Sequence, residues 1–192
     1  GRRFNDSARG GAPAALLVLQ HRIASALVFN KIHAATGGRV GFYVSTGAPL
    51  AKGLAEFFDA VGIRIIEGID VSDGPSVARL KAELGDTPLD VLINNAGNAH
   101  GLDSFEHASL DDWDAMIDIN VKGLLYVTKA LLPSLLKDGR GHIINIGSTA
   151  GKEVYPRGNV YCASKHAVDA INQALRIDLN HYGVRVGAVN PG

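Results

Sequence analysis

Tyr161 and Lys165 stand four residues apart within the run Gly158–Lys165, and Ser148 lies thirteen positions before the tyrosine. On a helix, four residues make about one turn, so the two side chains share a face and the ammonium can act on the phenol. A free phenol titrates near ~10, and a cation within a few ångströms lowers such a pKa by roughly 1–3 units. The pair therefore suits an acid/base working near neutral pH. The same spacing also describes an ordinary exposed helix face, and the elements around it decide between the two.

Those elements alternate. Ala14 to Leu19 reads as a short buried strand, and Ile23 to Ala35 as a helix-like mixture. Arg39 to Thr46 predicts a strand, and Pro49 to Ala60 a helix with Leu50, Leu54, Phe57 and Phe58 on one face, stopped by Gly62. Ile63 to Val71 predicts a strand, and Gly74-Pro75 opens a helix carrying Val77, Leu80 and Leu84 up to Gly85. Leu89 to Ile93 is an apolar strand running into Asn94-Asn95-Ala96-Gly97, a turn-type cluster. Ser109 then suits a helix N-cap, with Trp113, Ile117, Val121, Leu124, Thr128, Leu131 and Leu135 marking one face and Pro133 thinning the last turns. His142 to Ile146 predicts the next strand, ending in Gly147-Ser148. A helix from about Asn159 carries Val168, Ile171, Leu175, Leu179 and Tyr182 and closes at Gly183; Val184 to Val189 is the last strand, before Asn190-Pro191-Gly192.

Alternation without repeats predicts an α/β fold, a Rossmann-type doubly wound parallel sheet with helices on both faces, because parallel neighbours need crossover connections. Ligands bind such sheets outside the carboxyl ends of the strands. Asp70-Val71, Asn94 to Gly97, Gly147-Ser148 and Asn190 to Gly192 all fall at strand carboxyl ends, which predicts one rim and one site.

Composition narrows the classes. With 192 residues, 46% of them hydrophobic and 20% charged, the chain reads as one globular domain over residues 1–192, its first 62 residues atypical. Nineteen basic and nineteen acidic residues cancel, which argues against a nucleic-acid-binding face and leaves any anionic ligand to a local site. One cysteine, Cys162, excludes an internal disulfide and fits a reducing, cytoplasmic compartment. No apolar run reaches the roughly 18 residues that cross a bilayer. Gly1-Arg2-Arg3 before the apolar Ala12 to Leu19 loosely imitates a signal peptide, but lacks a long apolar region and a small-residue cleavage site, so export is not expected. The first residue is not Met, which leaves room for a different start. No His/Cys/Asp/Glu cluster has metal-ligand spacing, so no metal is expected, and His142, His166 and His181 read as ordinary surface or half-buried residues.

From Ile63 to Gly192 the sequence resembles the short-chain dehydrogenase/reductase family. The resemblance rests on Asp70-Val71, Asn94-Asn95-Ala96-Gly97, Asn120, Ser148, Tyr161 with Lys165, and Asn190-Pro191-Gly192, in the family's order and spacing. It implies an NAD- or NADP-dependent oxidoreductase, NADP slightly favoured, that moves a hydride between nicotinamide and a small hydroxy or oxo substrate. Carried over by position, Tyr161 would be the general acid/base. Ser148 would hydrogen-bond the reacting oxygen, Lys165 would lower the tyrosine pKa and hold the nicotinamide ribose, and Asn120 would hold a relay water. Asp70, Val71, Asn94, Ala96, Gly97, Pro191 and Gly192 would line the cofactor with Tyr161 and Lys165, Asp70 near the adenine. The run Gly141 to Gly151, with Tyr155-Pro156 and Gly158 to Tyr161, resembles the subgroup acting on 3-hydroxy acids, including serine 3-dehydrogenase-like enzymes. The family also implies a homodimer or homotetramer, formed by the helices matching Ser109–Leu136 and Asn159–Tyr182 across a two-fold axis.

The first third departs from that pattern. The family's first strand leads into a glycine-rich turn that cradles pyrophosphate. Counting back by strand–helix units places that turn just after Leu19, where Gln20 to Ala26 holds no glycine. The nearest match, Thr36 to Tyr43, has tyrosine in place of the last glycine and would cost one unit of the fold, so the unit count makes Thr36 to Gly41 a helix-ending turn. Ser45-Thr46-Gly47 carries neither the acid that selects NAD nor an arginine that selects NADP. The segment that covers the substrate in this family would follow residue 192. These departures fit a trimmed enzyme, an altered amino-terminal region joined to a normal remainder, or a relative that has lost cofactor binding and serves as a partner subunit. Reductases of oxoacyl thioesters or cyclic ketones belong to the same family and remain alternatives.

Overall fold

The structure, a computed structural model, describes residues 30–35, 42–46, 52–60 and 64–192. Its elements follow the alternation in the sequence: α1 (Asn30–Ala35), β1 (Phe42–Thr46), α2 (Lys52–Ala60), β2 (Arg64–Ile69), α3 (Gly74–Leu84), β3 (Val91–Asn94), α4 (Leu110–Ile117), α5 (Leu124–Leu136), β4 (His142–Ile146), α6 (Asn159–Leu179) and β5 (Arg185–Val189). A π-helical turn, Asp118–Gly123, joins α4 to α5, and a 3₁₀ turn, Thr149–Gly151, follows β4. Packing divides the chain into two units, residues 1–69 and 70–192.

In the first unit β1 and β2 pair in parallel across the α2 connection. The register slips by one residue between Val44 and Thr46, opposite Gly68, whose φ of 69° is the left-handed conformation an extra residue in a strand adopts. Leu54 and Phe57, expected on a packed face of α2, are each 44% exposed; that helix packs on β2. The expected strand at Ala14 to Leu19 and the turn candidates at Gln20 to Ala26 and Thr36 to Gly41 lie outside the described residues, although α1 ends at Ala35 and β1 begins at Phe42.

The second unit holds a parallel sheet in the order β3-β4-β5, in register from Val91 opposite His142 to Ile146 opposite Val189. Helix α5 packs against β3, α6 against β5, and α3 against α5. Along β3 the side chains alternate, Leu92 and Asn94 inward, Val91 and Ile93 exposed, as the two-residue period of a strand requires. Helix α3 follows the sequence closely. Asp73 caps it by accepting the Ser76 N–H at 2.8 Å, Val77, Leu80 and Leu84 are buried, and Gly85 ends it at φ 56°.

Helix α4 begins as expected and then shifts phase. Ser109 occupies the N-cap position, its carbonyl accepting the Trp113 N–H without a side-chain cap bond, and Asp111 and Asp112 lie in the first turn. The buried positions are Met116 and Asn120, one residue before the Ile117 and Val121 that a regular repeat selects, while Leu124, Thr128, Leu131 and Leu135 are buried as expected. The π-turn accounts for the difference, because one extra residue in a turn shifts the helical phase. Tyr182, expected on the apolar face of α6, is 51% exposed: the helix ends at Leu179 and a 3₁₀ turn carries the tyrosine away, its ring against His181.

Candidate active site

Four segments of the second unit meet at the carboxyl ends of its strands. At the end of β4, Gly147 lies against the amide of the exposed Asn190, which a Cβ there would displace. Ser148 follows in extended backbone, and its Oγ accepts the Ala150 N–H at 3.1 Å, which leaves the hydroxyl proton for another acceptor. The 3₁₀ turn then presses Gly151 against the backbone of α6, where a Cβ would come within 2.7 Å of the Lys165 carbonyl oxygen. Ser148 and Lys165 are thereby held together through main chain.

Helix α6 presents Tyr161, half-buried, on its first turn and Lys165 one turn on, the ammonium 5.9 Å from the tyrosine ring centre. Lys165 is 8% exposed, and its Nζ donates to the Ile146 carbonyl at 3.2 Å. Burial pushes its pKa below the ordinary lysine range. The same ammonium sits beside Gly97, where a Cβ would come 3.6 Å from Nζ and 3.2 Å from Asn120 Oδ1, so the turn after β3 approaches the lysine as glycine backbone.

Asn120, in the π-turn and 2% exposed, binds that turn from below. Its Oδ1 accepts the Asn98 N–H at 2.8 Å, and its Nδ2 donates to the Asn98 carbonyl at 2.9 Å and to Ser164 Oγ at 3.0 Å. Ser164 in turn donates to the Tyr161 carbonyl at 2.8 Å. The structure therefore brings Lys165, Asn120 and Gly97 together with Tyr161 one turn away on α6, and Ser148 follows two residues after the Ile146 carbonyl that Lys165 holds.

The remaining predicted residues take other positions. The Asn94 amide points into the sheet, donating to Thr128 Oγ1 at 2.9 Å and Asn145 Oδ1 at 2.8 Å, so only its main chain faces outward with that of Ala96. Asp70 accepts from the Ser72 N–H at 2.9 Å and hydroxyl at 2.6 Å, which serves its own turn. Val71 is buried against Gly123 and acts as packing. The Pro191 carbonyl accepts the Thr149 N–H at 3.1 Å, and Pro191 and Gly192 are exposed beside the Ser148 turn.

Two hydrogen-bonded pairs were not anticipated from the sequence. Trp113, expected in the core, is half-buried and donates from Nε1 to Asn159 Oδ1 at 3.2 Å. Asn145 and Asn172 extend the Asn94 bond into a buried chain, Asn145 Nδ2 donating to Asn172 Oδ1 at 3.1 Å. His142 is half-buried and His166 and His181 are exposed, the surface or half-buried placement expected of them. Among the described residues, no group of three or more His, Cys, Asp or Glu is arranged around a metal position, and no helix is long and apolar enough to cross a membrane.

The chain belongs to the short-chain dehydrogenase family: the family's model, described as short chain dehydrogenase, matches residues 29–192. The fold is that family's Rossmann type. The NADP-dependent 3-hydroxy acid dehydrogenase YdfG of Salmonella typhi is 44% identical over 137 residues, 70% of this chain and 55% of that protein. Its namesake in Escherichia coli (strain K12) is 43% identical over 142 residues, 72% and 57% of the two chains. Among solved structures, serine dehydrogenase from Escherichia coli superposes with a TM-score of 0.68 at 35% identity, over 79% of this chain and 82% of that one. The closed form of serine dehydrogenase complexed with NADP+ gives 0.72 at 37%, over 85% and 67%. The chain spans somewhat more than half the length of the curated relatives it matches.

Proposed function

We propose that the protein carrying this chain is an NADP-dependent oxidoreductase acting on a small 3-hydroxy acid or its 3-oxo counterpart, with Ser148, Tyr161 and Lys165 at the reacting centre. The observation that carries this reading is the buried Lys165 ammonium, set between Gly97, Asn120 and the end of β4, one helical turn from Tyr161. The names of the curated relatives support the substrate class and the choice of NADP.

The residues fit a nicotinamide ribose, because a cation and a glycine backbone face one another there and a Cβ at residue 97 would crowd both Asn120 and Lys165. When bound, the dinucleotide supplies the hydride acceptor for oxidation or the donor for reduction. In the oxidising direction the substrate hydroxyl gives its proton to Tyr161 Oη as the carbinol carbon loses hydride, and a carbonyl is left; reduction runs the same transfers in reverse. Ser148 donates its hydroxyl proton to the reacting oxygen and so fixes it against Tyr161. Lys165 stands one helical turn from Tyr161, its ammonium 5.9 Å from the ring centre, and would bond the ribose hydroxyls. Asn120 fastens the turn after Gly97 to Ser164 through Asn98 and would hold the water that hands the proton on.

Titration of the purified protein with NADPH and NADH, followed by nicotinamide fluorescence, tests the reading. Saturable binding with NADPH the tighter ligand is expected. A folded protein that binds neither overturns it and favours a non-catalytic subunit, the reading that the glycine-free Gln20 to Ala26 would explain. Turnover confined to oxoacyl thioesters or cyclic ketones would keep the reaction and replace the substrate class.

We also propose assembly into a homo-oligomer through α4, α5 and α6. Leu125 and Tyr126 on α5 are each 41% exposed and Ile177 on α6 is 76% exposed, apolar area that a second copy would cover. Sedimentation is expected to give a dimer or tetramer; a monomer at micromolar concentration ends the idea.

A further inference from the structure

The segment between β3 and α4, residues 98–109, leaves the rim beside Gly97 and is fastened by two asparagines. Asn120 grips its start at Asn98. Asn159, the first residue of α6 and two before Tyr161, grips its middle. Its Nδ2 donates to the Asp103 carbonyl at 3.1 Å, and its Oδ1 accepts from Trp113 Nε1 at 3.2 Å and from the Val160 N–H at 2.6 Å. Further contacts reinforce this: the Phe105 ring lies 5.0 Å from Trp113, and Gly101, at φ 49°, presses on the Asp112 carboxylate.

We infer that Asn159 is a positioning residue that holds the 98–109 segment and helix α4 in register with the first turn of α6, and through it with Tyr161. One amide group touches all three elements, so the segment cannot shift at the rim without pulling on the turn that carries the tyrosine. The inference rests on Tyr161 being the acid/base, since misplacement of a reacting group by about 1 Å can cost on the order of a hundredfold in rate.

Two variants test it in the full protein. Asn159→Leu removes all three bonds, and Asn159→Asp keeps both accepted bonds while losing the donor to Asp103. Trp113 is the chain's single tryptophan, so its emission reads this contact alone. Asn159→Leu is expected to shift that emission, to raise amide exchange in the 98–109 segment by at least about tenfold while the β3-β4-β5 amides stay protected, and to lower kcat by about a hundredfold at unchanged NADPH KM. Asn159→Asp is expected to keep the emission, loosen exchange around Asp103 and retain an intermediate kcat. Unchanged emission and exchange in Asn159→Leu overturns the inference, as does an equal rise of exchange throughout the sheet or an unaltered kcat. If the unsubstituted protein itself shows no turnover, the functional reading has failed, and emission and exchange decide the structural tie on their own.

Discussion

Tyr161→Phe is expected to lower kcat on a 3-hydroxy acid by roughly 10²–10⁴-fold, the range that general acid–base groups contribute, with folding stability and NADPH affinity little changed. The substitution deletes one oxygen. The ring remains beside Lys165, and the interactions that hold the turn do not involve the hydroxyl: Ser164 bonds the Tyr161 carbonyl, Lys165 bonds Ile146, and Asn120 bonds Asn98. A thermal melt and a dinucleotide titration run beside the kinetics separate loss of chemistry from loss of fold. Full activity in the variant would remove Tyr161 from the mechanism.

The second large effect is on stability. Asn145 is fully buried in the middle strand of its sheet, accepting from Asn94 and donating to Asn172. Asn145→Leu changes side-chain volume modestly and removes both bonds. Asn172 Oδ1, itself buried, loses its donor, while Asn94 keeps Thr128. A buried polar group left unpaired costs about 1–3 kcal/mol, so with the weakened Asn94 the total is about 2–4 kcal/mol. Urea unfolding should move to a lower midpoint at unchanged slope. Asn145→Leu combined with Asn172→Leu should recover part of the loss, because the stranded acceptor is gone. A midpoint unchanged in the single variant would mean that the amide chain contributes nothing.

The chemistry-bearing half was legible because its signals are local and periodic. His142 to Ile146 is a strand with the bounds its apolar run suggests, α6 begins at Asn159 as expected, and the turn residues fall at strand ends. Less legible were features set by tertiary packing. A tryptophan at helical spacing reads as core, so the Trp113 bond to Asn159 was hidden; the available signal was an asparagine directly after Gly158 and two before the tyrosine. The inward turn of the Asn94 amide could have been read from the strand period, which puts Asn94 on the same face as the buried Leu92. The stretch Gln20 to Ala26, where the unit count expected a glycine-rich turn, holds no glycine and lies outside the described residues.

The six-residue π-turn at Asp118–Gly123 makes this stretch sensitive to length as well as to composition. Each residue of an α-helix advances the screw by about 100°. A one-residue deletion between Ile117 and Gly123 would let the stretch close as regular α-helix, about 700° of screw from Met116 to the residue now at Leu124, which is close to two full turns and keeps Met116 on the Leu124 to Leu135 face. A single-codon insertion has no such regular helix to fall back on, and would turn Met116 away from the Leu124 to Leu135 face and strain the grip of Asn120 on Asn98 at the same time.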